Sequence, residues 1–164
     1  MSESTLPKWD IEWILSVIPH RYPILLVDRV LEMEPKKRIV AIKNVTISEP
    51  VFLGHFPGRP VLPGVFLIEG MAQAGGLLLL HDMPNRDGKL LLFAGIEGAK
   101  FRRPVVPGDQ VRYEVEVLRL RSTFCKVSGR ALVDGELAAE AVLSTAMVDR
   151  GPVDRGPMDR ENQS

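Results

Sequence analysis

Cysteine is nearly absent from this 164-residue sequence, which contains only Cys125. A single cysteine excludes an internal disulfide and fits a reducing compartment. Neither sign of charge is in excess, since 21 Lys and Arg residues balance 21 Asp and Glu residues. This balance predicts no global attraction to nucleic acid or to an anionic membrane. The length predicts one domain with a proper hydrophobic core.

The motifs of several common enzyme classes are also missing. The sequence has no Gly-rich dinucleotide fingerprint, no phosphate-binding loop, no zinc-protease helix and no serine-hydrolase elbow. Its three histidines, His20, His55 and His81, lack metal-ligand spacing. We therefore expect neither a metal nor another cofactor.

Long apolar runs are scarce. The best candidate for a membrane span, residues 60–80, carries Glu69 and Gln73 near its middle. The apolar pieces on either side are far shorter than the roughly 20 residues that a bilayer requires. The first residues, MSESTLPKWD, lack the charged and apolar regions of a secretory signal. These features predict a soluble, cytoplasmic protein without membrane insertion.

The first half of the chain predicts a short helix, two strands and one long helix. Asp10 is the expected N-cap of a helix that ends at Ile18, because a proline follows. Residues 23–34 and 38–46 are rich in branched apolar side chains and predict strands. Residues 64–83 predict a helix that is apolar nearly all round, which is typical of a helix enclosed by other structure.

The second half predicts four more strands, at residues 89–101, 109–121, 124–133 and 136–148. The apolar alternation slips by one residue after Val117, which indicates a β-bulge. Asp134-Gly135 is a strong two-residue hairpin signal. The elements predict an α+β domain over residues 1–148, with a mainly antiparallel sheet curled around the long helix. Residues 149–164 repeat a Gly-, Pro- and charge-rich unit, so we expect disorder there.

One stretch, LGHFPGRPVLPG at residues 53–64, combines a histidine with three prolines and three glycines. Prolines have a fixed φ, so such a loop would hold the imidazole of His55 in place at little entropic cost. Glycines would let a ligand approach the backbone. The alternative interpretation is an exposed turn histidine without a role.

Glu69 is the only charged side chain between Pro60 and Leu80. A carboxyl buried there without partners would have a raised pKa and would be a candidate general acid. Gln73, one helical turn later, lies on the same face and could hydrogen-bond to it. The alternative is a helix carboxylate that reaches solvent at the edge of the sheet.

Gly64 opens the long helix, so its amide is an unpaired donor at the positive end of the helix dipole. Such a donor suits a carbonyl oxygen that gains negative charge. Together, His55 as base, Gly64 as donor and Glu69 as acid predict elimination of water from a 3-hydroxyacyl compound. The sequence leaves open whether the two side chains meet within one subunit or across two.

The segment GHFPGRPVLPGVFLIEGMAQAGG closely resembles the active-site segment of the beta-hydroxyacyl-acyl-carrier-protein dehydratases of bacterial fatty-acid synthesis, the FabZ type. The resemblance extends to HRYPILLVDRV and AKFRRPVVPGDQV and covers most of residues 10–148. It implies a hot-dog fold, in which an antiparallel sheet wraps a long helix. It also implies a hydro-lyase that converts (3R)-3-hydroxyacyl-acyl-carrier protein to the trans-2-enoyl product during fatty-acid elongation.

The resemblance implies a role for several residues. His55 and Glu69 match the catalytic base and acid, and Gly64 matches the amide that binds the thioester carbonyl. Val61 matches a position whose carbonyl can orient the histidine. In this family the histidine of one protomer meets the acid of its dimer partner, and dimers often assemble into hexamers as trimers of dimers. A glutamate at position 69 is typical of the elongation dehydratases rather than of the related dehydratase-isomerases, which typically have aspartate.

The substrate of this family is carried on an acidic carrier protein, which is the expected partner. Lys100, Arg102 and Arg103 form a basic cluster that could dock it. A solvated charged sheet edge is the alternative interpretation of that cluster. Phenylalanines are the expected lining of an acyl tunnel, namely Phe56, Phe66 and Phe93.

Two other functions fit a hot-dog protein. An acyl-thioesterase would use a carboxylate to activate water and would not need His55. A non-catalytic acyl-binding protein would keep the tunnel with an inactive site. Both are weaker interpretations, because His55 and Glu69 together form a complete acid–base pair.

Overall fold

The computed structural model describes residues 8–151. These residues form six strands, two α-helices and two short 3₁₀ turns. In chain order the elements are α1 (Ile11–Val17), β1 (Arg29–Glu34), β2 (Arg38–Asn44), a 3₁₀ turn (Pro50–Leu53), α2 (Gly64–Leu80), a second 3₁₀ turn (Arg86–Gly88), β3 (Lys89–Phe101), β4 (Gln110–Leu120), β5 (Phe124–Val133) and β6 (Glu136–Asp149). All neighbouring strands are antiparallel, in the order β1-β2-β4-β5-β6-β3. The predicted α+β architecture is confirmed.

Helix α2 is enclosed by the sheet, because it packs against β2, β4, β5 and β6 and also contacts α1. Met71, Ala74, Leu77 and Leu78 on this helix are completely buried. Burying a side chain as large as Met71, Leu77 or Leu78 contributes about 1.5–3 kcal/mol relative to leaving it exposed. This burial offsets the weak helix propensity of the three glycines in the interior of α2, Gly70, Gly75 and Gly76.

Several local predictions are confirmed. The Asp10 carboxylate accepts a hydrogen bond from the Trp13 amide at 3.0 Å, as an N-cap does. The register of β4 against β5 shifts between Val117 and Arg119, which is the expected bulge. Asp134 and Gly135 have φ angles of 52° and 79°, so the β5–β6 hairpin has the positive angles of a type I′ turn.

Several predicted boundaries need correction, and strand β2 ends at Asn44 rather than at residue 46. The first strand begins at Arg29 rather than at residue 23, because the backbone around Leu26 bonds to a side chain of α2 instead of to a neighbouring strand. Helix α2 ends at Leu80 rather than at Met83. Strand β6 continues through Asp149, one residue beyond the predicted domain end. The rest of the predicted tail, from residue 152, lies outside the described residues.

The described part of the chain has no helix that is long and apolar enough to cross a membrane.

Gly70 provides a test of the close packing between α2 and the sheet. A Cβ atom at Gly70 would lie 2.1 Å from the hydroxyl oxygen of Tyr113, which is itself completely buried. We expect Gly70→Ala to lower the free energy of unfolding by about 1–3 kcal/mol, as overpacking does. Urea denaturation measures this change.

Gly75 is the matched control, because it lies on the same helix and a Cβ there would meet only ordinary contacts at 3.8 and 3.9 Å. Gly75→Ala should raise the free energy of unfolding by up to about 1 kcal/mol, through helix propensity. Equal stability of the two variants would contradict the packing argument.

Candidate active site

His55 is held by the backbone of its own loop. Its amide donates to the Val51 carbonyl at 3.0 Å, and its carbonyl accepts from the Val61 amide at 3.0 Å. Between His55 and Val61, the Phe56 amide donates to the Arg59 carbonyl at 3.1 Å, and the Arg59 amide donates to the Phe56 carbonyl at 2.9 Å. The loop therefore closes into a compact unit that fixes the backbone beneath the imidazole.

The imidazole of His55 is oriented as well. Its Nδ1 lies 2.6 Å from the Val61 carbonyl oxygen. A carbonyl can only accept, so Nδ1 carries the hydrogen and the lone pair of a neutral ring is on Nε2. The contact expected between Val61 and His55 is thus present, and it leaves Nε2 available to accept a proton.

Gly64 is the first residue of α2 and lies in the same groove as His55. Its amide belongs to the first turn, where N–H groups have no partner inside the helix. A Cβ at this position would lie 2.7 Å from the ring of Phe101, so only glycine fits without displacing that ring. A side chain at this position would therefore displace the Phe101 ring in the groove that Gly64 lines.

Glu69 contacts two polar side chains, although its helix is apolar. Gln73 Nε2 donates to Glu69 Oε1 at 3.0 Å, which confirms the expected contact one turn along the helix. His20 Nε2 lies 3.4 Å from the same oxygen. The Glu69 side chain is 26% exposed, so it is neither fully buried nor free in solvent.

Gln73 joins α2 to the segment that follows α1. It is 1% exposed, and its amide group accepts from the Leu26 amide at 2.8 Å and donates to the Ile24 carbonyl at 2.7 Å. Its third bond is the one to Glu69. Because one buried amide satisfies two backbone groups and the carboxylate at once, the position of Glu69 depends on this segment.

Sequence reasoning gave no role to His20, which the structure places beside Glu69. The neighbouring Arg21 guanidinium holds the turn by donating to the carbonyls of Leu15, Ile18 and His20 at 2.9, 2.9 and 2.7 Å. His20 Nδ1 is buried and has no hydrogen-bond partner within residues 8–151. The only available signal was the segment HRYP at residues 20–23, which belongs to the resemblance described above. Its position in the sequence does not indicate that His20 contacts Glu69.

The prediction that burial keeps Glu69 protonated is wrong for the chain as described. Burial raises the pKa of the Glu69 carboxyl, but hydrogen bonds from His20 and Gln73, with the charge of His20, outweigh burial. The pKa of Glu69 therefore lies below its ordinary value. The sequence could not show this, because His20 lies 49 residues before Glu69.

His55 and Glu69 face different cavities of the single chain. His55 lies in an open groove of about 470 Å³ with Val61, Gly64 and Phe101. Glu69 lies in a smaller cavity of about 170 Å³, and no described residue lines both. One chain therefore does not bring the predicted base and acid to a common space.

The three phenylalanines predicted to line an acyl tunnel occupy different places. Phe93 lines the Glu69 cavity. Phe56 stacks on the His55 ring, with ring centroids 3.9 Å apart, and is 52% exposed. Phe66 instead lines a third groove, which includes Pro23, apart from both cavities.

The predicted basic cluster lies partly at the His55 groove, which Arg102 and Arg103 line. Both are paired with carboxylates, Arg102 with Glu140 at 2.6 Å and Arg103 with Glu136 at 2.9 Å. Lys100 is exposed on β3. Charge at this rim is therefore partly neutralised within the chain.

No group of three or more His, Cys, Asp or Glu side chains among the described residues is arranged to hold a metal ion.

Comparison with known proteins matches residues 18–142 to the FabA-like domain. The chain is 57% identical over 141 residues to a 3-hydroxyacyl-acyl-carrier-protein dehydratase FabZ of Koribacter versatilis, covering 86% of this chain and 90% of that protein. It is 60% identical over 138 residues to a protein of the same name from Desulforamulus reducens, covering 84% and 96%.

Solved structures of low sequence identity share the fold. The dehydratase heterocomplex ApeI:P of Xenorhabdus doucetiae aligns with a TM-score of 0.70 at 19% identity, over 84% of this chain and 91% of that chain. A hot-dog-like protein of Thermanaerovibrio acidaminovorans aligns with a TM-score of 0.58 at 20% identity, over 72% and 85%. The expected hot-dog fold is confirmed.

Replacement of His20 tests the cause of the lowered pKa of Glu69. His20→Ala removes a hydrogen bond and a charge but leaves the helix buried, so the pKa of Glu69 should rise above its value in the unsubstituted protein. The ¹³C shift of the labelled carboxyl group, followed against pH, measures this rise.

His81→Ala is the control, because His81 bonds to the Leu78 carbonyl at 3.0 Å, at the far end of α2. It should leave the titration of Glu69 unchanged. An unchanged pKa of Glu69 in His20→Ala would show that the contact has no electrostatic effect.

Proposed function

The chain belongs to the FabA-like domain family, and we propose that it removes water from 3-hydroxyacyl groups carried on acyl carrier protein. The observation that carries this proposal is the hydrogen bond between His55 Nδ1 and the Val61 carbonyl, which leaves Nε2 as a base in the groove that Gly64 also lines. The names of two relatives, at 57% and 60% identity, support the same reaction.

In the proposed reaction, His55 Nε2 takes a proton from C2 of the (3R)-3-hydroxyacyl thioester. The electron pair moves towards the thioester carbonyl, whose oxygen accepts a hydrogen bond from the Gly64 amide. The C3–O bond then breaks, Glu69 gives its proton to the leaving hydroxyl, and water departs. The product is the trans-2-enoyl thioester, as fatty-acid elongation requires.

Glu69 must be protonated to act as the acid, whereas its pKa is lowered in the single chain. The carboxyl is still 26% exposed there. A bound acyl chain and a covering subunit would both remove water from it, and loss of water favours the neutral form of a carboxyl group. We infer that the assembled, substrate-filled site supplies the protonation that the open chain lacks.

We infer a homodimer with shared active sites, and the separation of the two cavities supports it. His55 and Glu69 face different spaces of one chain, so a common site needs His55 of one protomer and Glu69 of another. Strand β3 supports this arrangement, because it is an edge strand with exposed apolar side chains, including Leu92 at 51% and Ile96 at 49%. A hexamer built from three such dimers remains the expectation from the family.

The carrier protein would dock at the rim of the His55 groove. Arg102 and Arg103 line this groove, and Lys100 is exposed nearby on β3. Phosphate and acidic side chains of the carrier would compete with Glu136 and Glu140 for the two arginines. These contacts would place the thioester between His55 and Gly64.

A thioesterase is the second candidate, and one observation favours it. A Glu69 with a lowered pKa is charged near neutral pH, which suits a base that activates water rather than an acid. The Val61-bound, oriented imidazole of His55 would then have no part in the reaction. The two candidates give different products from the same thioester.

Substitution of the two proposed catalytic residues tests the reaction. With 3-hydroxydecanoyl-acyl carrier protein, the enzyme should form the enoyl product, measured by its absorbance. His55→Ala and Glu69→Gln should each lower kcat by about 10²–10⁴-fold, the usual contribution of general acid–base catalysis. His81→Ala should keep the original rate. Thiol release without enoyl product would establish the thioesterase instead.

Co-expression of His55→Ala and Glu69→Gln chains tests whether the site is shared. A mixed dimer would contain one site with both substitutions and one intact site, and random pairing yields about a quarter of the original activity. A site built within one chain would give no recovery. Differently tagged chains and two-step purification would isolate the mixed dimer, for which we expect about half the activity.

A further inference from the structure

Leu91 lines two cavities, the Glu69 cavity and a second, larger one. The Glu69 cavity is lined by His20, Gln73 and Gly76, and by Leu91 on β3. Leu91 also lines a cavity of about 370 Å³ beyond the C-terminal end of α2, which we call the distal chamber. Leu91 is the one described residue that lines both.

The Glu69 cavity runs along the helix towards Leu91. Gly76 lies seven residues after Glu69, or about 10 Å along the axis of an α-helix. A Cβ atom at Gly76 would lie 3.7 Å from Leu91 Cδ1 and 3.7 Å from Ile18 Cγ2. Glycine at this position leaves room for about one methyl group, and Gly76 and Leu91 line the same cavity.

The distal chamber has a largely apolar interior. Its walls include the apolar side chains of Leu79, Met83, Phe124 and Met147, and its lining also includes the charged residues Lys36, Asp82 and Arg121. It is larger than the Glu69 cavity, at about 370 against about 170 Å³, and such a volume accommodates a small apolar ligand. A chain that passed the Leu91 wall would therefore gain further apolar burial.

We propose that Leu91 sets the acyl-chain length that this enzyme accepts, by closing the Glu69 cavity against the distal chamber. This proposal rests on the proposed function, because it requires an acyl substrate whose C3 lies at Glu69. Medium acyl chains end at Leu91. Longer chains meet its side chain and must displace it to reach the distal chamber.

The experiment compares dehydration of 3-hydroxyoctanoyl- and 3-hydroxypalmitoyl-acyl carrier protein. Leu91→Ala removes most of the side chain between the two cavities. The ratio of kcat/KM for the long chain to kcat/KM for the short chain should then rise by about tenfold or more, because burial of each additional methylene raises kcat/KM by about fourfold. Leu91→Phe should lower the same ratio. An unchanged ratio in both variants, with dehydration intact, would overturn the proposal.

Met83→Trp fills the distal chamber without reaching the Glu69 cavity. Added to Leu91→Ala, it should reverse the gain for the long chain, whereas a merely loosened fold would not respond to it. Leu118→Ala is the matched control, because Leu118 is 56% exposed on β4 and lines neither cavity. Its ratio should equal that of the unsubstituted enzyme, and a rise like that of Leu91→Ala would also overturn the proposal.

The two proposals fail in different ways. If the unsubstituted enzyme forms no enoyl product from any chain length, the proposed function is wrong. If it dehydrates both chains and Leu91→Ala fails to change their ratio, only the role of Leu91 is wrong. Thermal unfolding of each variant identifies a loss of activity that comes from a loss of fold, and Leu91→Phe then remains as the independent test.

Discussion

The enclosure of helix α2 is the constraint on which the rest of the structure depends. Its side chains are buried on nearly every face, so the sheet has to wrap around it rather than cover one side. Enclosure also means that any polar group on the helix needs a protein partner. Gln73 finds partners in the backbone around Leu26, and this requirement draws residues 24–26 out of the sheet and against the helix.

The two halves of the proposed site are organised by different forces. His55 is held almost entirely by backbone geometry within a loop of a few residues, so its orientation is local and independent of the helix. Glu69 instead depends on side chains brought together from distant parts of the chain, His20 and Gln73 among them. Because the halves face separate cavities, catalysis in our proposal belongs to the assembled protein rather than to one folded chain.

Much of the fold could be predicted because its signals are local. Strand β3 was expected at residues 89–101 and has those bounds, and the Asp134-Gly135 turn follows from a dipeptide that tolerates positive φ. The strand expected from residue 23 was wrong up to residue 28, since apolar composition could not reveal the buried amide of Gln73. The predicted raised pKa of Glu69 failed for the same reason, because its partner His20 is distant in sequence.

The sequence by itself determined the periodicities, the turns, the stiff loop around His55 and the i, i+4 contact between Glu69 and Gln73, since each depends on residues close along the chain. Only the tertiary structure decided that Leu91 lines both the Glu69 cavity and the distal chamber, and that the pKa of Glu69 is lowered. Cavities and pKa values depend on distances between residues far apart in sequence. Those distances exist only once the sheet has closed around the helix.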